Sequence, residues 1–247
     1  MEPSEYETMA DLETSFWWYR ALHKTVTQRL DSLNLPVTAK LLDAGCGTGG
    51  MLAFLQSALP MSSMELIGLE WHGHAAHLAH SKTSASVVQG NVCQLPFGDN
   101  VFDVVLSQDV LYHKNVNEAD ALNSVFRCLQ PGGWLLLSLP AYQWMRSAHD
   151  RHVHGARRYT ASGCQQLLES AGFIHVRTGY WNSLLFPLMA LQRMTTGKQQ
   201  DKSDVRALPR WLDHLLFSVL DFERRAGLQL PFGGSVWAQA MKPGCSK

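Results

Sequence analysis

Residues 41–50 read LLDAGCGTGG. An apolar run reaches Asp43 and gives way to alternating glycines, Gly45, Gly47 and Gly49, with Gly50 behind them. A strand that turns at once into a helix leaves backbone N–H groups bare at the helix start, and glycine lets a ligand approach them without a Cβ in the way. That arrangement is a nucleotide-type pocket at the carboxyl end of a first strand. The glycines alone do not choose the ligand, because Gly45, Gly47 and Gly50 satisfy GxGxxG while Gly45, Gly47 and Gly49 satisfy the tighter GxGxG.

Asp43 bears on that choice. A carboxylate at the strand tip repels a pyrophosphate but suits a ligand carrying an ammonium and a sulfonium, which describes S-adenosylmethionine (SAM), whose sites use GxGxG. The plainer reading of Asp43 is a turn or helix cap. Glu70 ends the next apolar run, where a carboxylate hydrogen-bonds ribose hydroxyls. It supports a nucleoside without selecting one.

Outward from this turn, apolar runs alternate with helical patterns, the sequence signature of a sheet wrapped by helices. Strands are expected at 39–44, 64–70, 85–89, 101–107, 133–139, 173–181 and 234–242, with helices at 7–33, 48–59, 73–81, 117–129 and 160–171. Thr160 caps the last of these helices and Gly172 stops it. The fold class is therefore α/β: a Rossmann-like, doubly wound, seven-stranded and mostly parallel sheet, with an N-terminal helical cap and a helical insert before the last strand. One domain over 1–247 is expected, divided into a cap at 1–36, a cofactor-binding core and substrate loop at 37–182, the insert at 183–232 and a final strand at 233–247.

Bulk properties narrow the partners. Twenty-one basic and twenty-one acidic residues cancel, so nothing points to a nucleic-acid backbone or an anionic membrane. The five cysteines lie far apart without a CxxC pair, as is usual in a reducing compartment. No basic, apolar and small-residue leader opens the chain, and no apolar run approaches the roughly 18–20 residues that cross a bilayer. A cytoplasmic protein is expected.

Later blocks carry a resemblance. "VVQGNVCQLPFGDNVFDVVLSQDVLYH" and then "LQPGGWLLLSLP" follow the glycine turn in order. With it they resemble the class I SAM-dependent methyltransferases, in particular the small-molecule, methyltransferase type 11-like group, over 41–140. "FWWYRAL", "HDRHVHGARRYT", "GYWNSLLFPLMALQR" and "LPFGGSVWAQAMK" extend the likeness over nearly the whole chain.

The resemblance implies a SAM cofactor, with S-adenosylhomocysteine as product, and it assigns residues. Asp43, Gly45 and Gly47 match positions that hold the methionine moiety. Glu70 matches the ribose ligand, and Trp71 packs on the adenine. Asn91 stands where the family usually has an aspartate for the adenine amino group, and its oxygen can still accept that bond. Val92 offers its backbone N–H to the same ring. Gln108 falls beside the methionine group, with His113 matching the family histidine. Trp18, Tyr19 and Arg20 resemble residues that close over the cofactor, and an arginine there pairs with the SAM carboxylate. Simple docking of the first helix explains the aromatics equally well.

Methyl transfer to a small molecule asks mainly for alignment and exclusion of water. A base is needed when the acceptor is a hydroxyl or a protonated amine. His149, oriented by Asp150, is the first candidate and His113 the second, with Tyr142 and Tyr159 as positioning groups. The structural alternative is a loop anchor in which Asp150 pairs with Arg157 or Arg158. His74, His77 and His80, and His149, His152 and His154, lack the Cys or carboxylate partners of a four-ligand site, so no metal is expected.

The insert carries two apolar helical patterns, "WNSLLFPLMALQRM" and "WLDHLLFSVLDFERR". They suit packing, an acceptor lid or a homodimer surface; few flanking basic residues rank membrane contact last and argue against stable insertion. The expected function is methyl transfer from SAM to an oxygen or nitrogen of a small-molecule acceptor, as in secondary or specialised metabolism, with no nucleic acid involved. A non-catalytic SAM-binding partner protein and an NAD(P)-dependent oxidoreductase are the alternatives.

Overall fold

The computed structural model describes residues 3–58, 64–146, 150, 154–196 and 208–244. Seven strands form one sheet: β1 Lys40–Ala44, β2 Glu65–Glu70, β3 Ser86–Gln89, β4 Phe102–Gln108, β5 Leu129–Pro140, β6 Ile174–Trp181 and β7 Ser235–Met241. Their order is β3-β2-β1-β4-β5-β7-β6. Neighbours from β3 to β5 are parallel, and β7 runs antiparallel to both β5 and β6. The order reverses between β1 and β4, and in open α/β sheets the crevice at such a switch point is where ligands bind.

The sheet is buried on both faces, which explains why its central strands read as continuous apolar runs instead of alternating ones. Successive residues still point to opposite sides. Leu42, Val105 and Leu135 join a core with Leu122 and Val125 of α5 (Glu118–Cys128) and Leu168 of α6 (Ala161–Ser170). Leu41, Val104 and Leu136 join the other core, with Leu22, Val26 and Leu30 of α2 (Trp17–Asp31) and Leu55 of α3 (Gly50–Ala58). The remaining described helices are α1 Pro3–Leu12, α4 Gly73–Lys82, α7 Phe186–Thr196 and α8 Arg210–Arg225. At α6, Thr160 Oγ1 accepts the Gly163 N–H at 3.1 Å and Gly172 takes φ +89°, as its sequence signals predict.

The N-terminal segment differs from expectation. The single helix read over 7–33 is two helices, α1 and α2, separated by residues 13–16. Phe16 turns extended at φ −70°, ψ 133° and is buried. The break lets α1 lie along α4 beside the glycine turn while α2 packs on α3 and α8.

Two acids of the insert hold it in place, one against α2 and one across its own start. Asp213 of α8 accepts the Trp17 N–H at 2.7 Å and the Arg20 guanidinium at 3.2 Å, so a distant carboxylate caps the start of α2. Buried Glu223 accepts the N–H groups of Ser183 at 2.8 Å and Leu184 at 2.9 Å, fixing the chain where it leaves β6 for α7. Glu223→Ala leaves those amides without an acceptor and is expected to cost roughly 2–4 kcal/mol. At about 2–4 °C per kcal/mol for a chain of this size, calorimetric melting should fall by about 4–16 °C; an unchanged Tm contradicts the clamp.

Candidate active site

The glycine turn follows β1 directly. Gly45 and Gly47 take φ +100° and +56°, in the left-handed range that disfavours any side chain. There is no room for one either. A Cβ on Gly45 would sit 2.3 Å from Val110 Cγ2, and one on Gly47 would sit 2.7 Å from Met9 Cε. The Gly47 N–H donates to Glu70 Oε2 at 3.1 Å, joining the turn to the tip of β2.

Three carboxyl groups surround this turn. Asp43 is buried at the end of β1, and burial, with the nearby charges of Glu70 and Glu13, pushes its pKa from 3.8 up to about 7. Burial likewise raises Glu70, although the His72 and Gly47 backbone N–H groups counter it. Burial also raises Glu13, against the opposing influence of its partner Lys82. No cation is among the influences on Asp43. Helix α1 lies over the group: Tyr6 donates to Glu70 Oε1 at 3.5 Å and stacks on His72 at 4.8 Å.

Just past the tip of β4 stands a further acid, half-buried, which the sequence reading passed over. Asp109 takes φ +52°, an uncommon conformation for a residue with a side chain. Its Oδ1 is buried without a hydrogen-bond partner among the described residues, as is Oε1 of neighbouring Gln108. Burial raises Asp109 to about 7; Arg158 opposes the shift and Asp150 adds to it. The signal available in the sequence was an acid immediately after the apolar strand in "VVLSQDV".

Several expected residues gather at this carboxyl edge. Asp43, Gly45, Gly47 and Glu70 form one cluster, and Gln108 ends β4. Val92 is buried, and Trp71 is 67% exposed beyond the tip of β2. The Asn91 oxygen accepts the Cys93 N–H at 2.9 Å, closing a local turn. Tyr19 packs edge-on against Trp18, 5.1 Å between centroids. The half-buried His113 ring lies 4.3 Å from Tyr112.

Two expectations are corrected, at Arg20 and Tyr159, and at Asp150 the loop-anchor alternative offered by the sequence is observed. Arg20 is not directed at a cofactor: its guanidinium pairs with Asp213 and covers the Phe217 ring at 4.0 Å. Asp150 is a loop anchor, with both oxygens held by Arg158 at 2.9 and 3.0 Å. The Tyr159 hydroxyl is enclosed, donating to Glu118 Oε1 at 2.7 Å with Leu111 O at 3.1 Å, so it is not an acceptor-positioning group. His149 lies outside the described residues.

The methyltransferase domain family matches residues 42–137, from the end of β1 through β5. Residues 42–137 carry a methyltransferase domain. A probable SAM-dependent methyltransferase of Mycolicibacterium smegmatis is 29% identical over 67% of the chain and 63% of its own length. A demethylmenaquinone methyltransferase of Lactiplantibacillus plantarum is 32% identical over 47% of the chain and 56% of its own length. The chain spans 56–63% of the length of these curated relatives. Among solved structures, a Haloferax volcanii putative methyltransferase in complex with the Trm112 methyltransferase activator has a TM-score of 0.63 at 19% identity, covering 98% of this chain and 95% of that one.

The methyltransferase site fits SAM. Glycine lets neighbours come close to the turn backbone, as Val110 and Met9 do, and an acid such as Asp43, whose pKa is raised by burial and by the charges of Glu70 and Glu13, suits a cationic ligand. Its two acids also set a pH dependence. Asp43 and Asp109 are raised in the folded chain, so between about pH 4 and 7 the folded state binds more protons than the unfolded one, and stability falls as pH rises through that window. Tm should therefore decline from about pH 5 to 8 without added SAM, and Asp109→Asn should flatten the decline; an equal slope in the variant contradicts the raised carboxyl.

Proposed function

We propose that this chain transfers the methyl group of SAM to an oxygen or nitrogen of a small-molecule acceptor. The observation that carries the reading is the buried acid cluster at the glycine turn, centred on Asp43. A pyrophosphate cofactor would meet these carboxyls with like charge, which disfavours the nicotinamide alternative. Relatives named for demethylmenaquinone and for 24-methylenesterol favour a small-molecule acceptor.

When bound, SAM supplies a methyl group on a positively charged sulfur. On this reading Asp43 and the Gly45–Gly47 backbone hold the methionine end, Glu70 takes the ribose hydroxyls, and Trp71 and Val92 cover the adenine. Asn91 still has its amide NH2 to offer, while its oxygen serves the local turn. Gln108 Oε1 and Asp109 Oδ1 lack partners among the described residues, and on this reading they serve the reacting end. Asp109 replaces Asp150 in the proposed proton chemistry: a carboxyl held at about 7 takes a proton from an acceptor hydroxyl or ammonium near neutral pH. His149 and His113 remain the histidine candidates for the same step.

Calorimetric titration with SAM, S-adenosylhomocysteine and NADPH tests the cofactor assignment. Micromolar binding of the first two alone is expected, and Asp43→Ala should weaken it at least about a hundredfold, since a charged ligand contact is worth roughly 3 kcal/mol. Binding of NADPH only contradicts the proposal. With an acceptor found by following S-adenosylhomocysteine release, Asp109→Asn should cut kcat by about 10²–10⁴ while sparing SAM affinity. A normal kcat in Asp109→Asn together with a collapse in His149→Ala assigns the base to the histidine instead.

A further inference from the structure

The insert exposes apolar bulk that the proposed chemistry leaves unexplained. Leu188, Leu191 and Met194 of α7 and Trp211, Leu215 and Phe222 of α8 are 52–77% exposed. Along α8 these residues and Ser218 repeat at i, i+4, i+7 and i+11 on the outward side, while Phe217 and Leu220 pack inward. A surface helix normally keeps its outer stripe polar, and exposed apolar patches of this kind mark interaction sites.

Charge is sorted in the same way. Asp213 is turned to Arg20 and the start of α2, Asp221 to Arg224 and Arg225, and Glu223 to the Ser183 and Leu184 amides. No acid among the described insert residues is exposed, whereas Arg210 is exposed and the Arg225 side chain is 68% exposed. The sequence reading ranked membrane contact last because it found few flanking basic residues; it did not show that the acids face inward.

We propose that the insert docks this protein peripherally on an anionic lipid surface. A second copy meeting this face would bring the same arginines, with no exposed carboxylate among the described insert residues to match them. An anionic bilayer offers both an apolar layer for Trp211, Leu215 and Phe222 and headgroup charge for Arg210 and Arg225. The contact lies on the surface, since no helix among the described residues is long and apolar enough to cross a membrane. The inference is independent of the methyl-transfer reading and needs no acceptor.

Sedimentation of the full chain with vesicles tests it, comparing phosphatidylcholine alone with phosphatidylcholine containing about 30 mol % phosphatidylglycerol. The chain should pellet with the anionic vesicles, and Leu188→Ser/Leu191→Ser and Phe222→Ser should each reduce the bound fraction about tenfold. Their Tm should not change, because these side chains are exposed. Arg225→Gln should weaken binding to the anionic vesicles. The proposal is overturned if the chain pellets with neither vesicle, if it pellets equally with both, or if the serine variants bind like the parent. A dimer in light scattering that the serine variants split, with no vesicle binding, makes the face a contact between copies instead.

Discussion

The fold converges on one electrostatic constraint: three carboxyl groups, Asp43, Glu70 and Glu13, held around one glycine-rich turn. Burial penalises their charge, and their mutual repulsion adds to the penalty for Asp43. Backbone N–H groups from Gly47 and His72 offset part of this at Glu70, and Lys82 offsets part at Glu13. Asp43 has no such relief among the influences on it. A positively charged ligand removes the penalty, so on the proposed reading the arrangement that costs the folded chain stability is also the one that favours SAM.

Topology puts this constraint where it can act. The β1/β4 switch point places Asp43 and Asp109 at adjacent strand tips, one beside the glycine turn and the other beside β5. Helix α1 lies over the same edge through Tyr6, while α2 packs on the sheet face behind it. The insert then reaches back to cap α2 through Asp213, so the cover of the site and the apolar outer face belong to one connected structure.

Much of this was legible in sequence. Continuous apolar runs in β1, β4 and β5 announce strands buried on both faces, and the glycine turn with Asp43 and Glu70 announces the pocket. Backbone signals such as Thr160 and Gly172 worked because their action is local. The break at residues 13–16 was not legible, because it answers to docking on α4 and α8, far away in the chain. Arg20 was misread for the same reason: it is claimed by Asp213, a partner 193 residues away that no spacing rule identifies, whereas the Asp150–Arg158 pair lies within one loop and was among the sequence alternatives. Asp109 was missed because its meaning lies in burial and a left-handed backbone, and neither leaves a periodic trace.

The central claim is that the acid cluster is charged by its ligand. Its most direct measurement is proton exchange on SAM binding, obtained from calorimetry at about pH 6.5 in two buffers of different ionisation enthalpy. Since Asp43 near 7 is partly protonated at that pH and a sulfonium and ammonium favour its ionised form, binding should release protons, up to about one per site. Binding without net proton release, or with uptake, would show that Asp43 is already ionised or is not engaged, and would contradict the account.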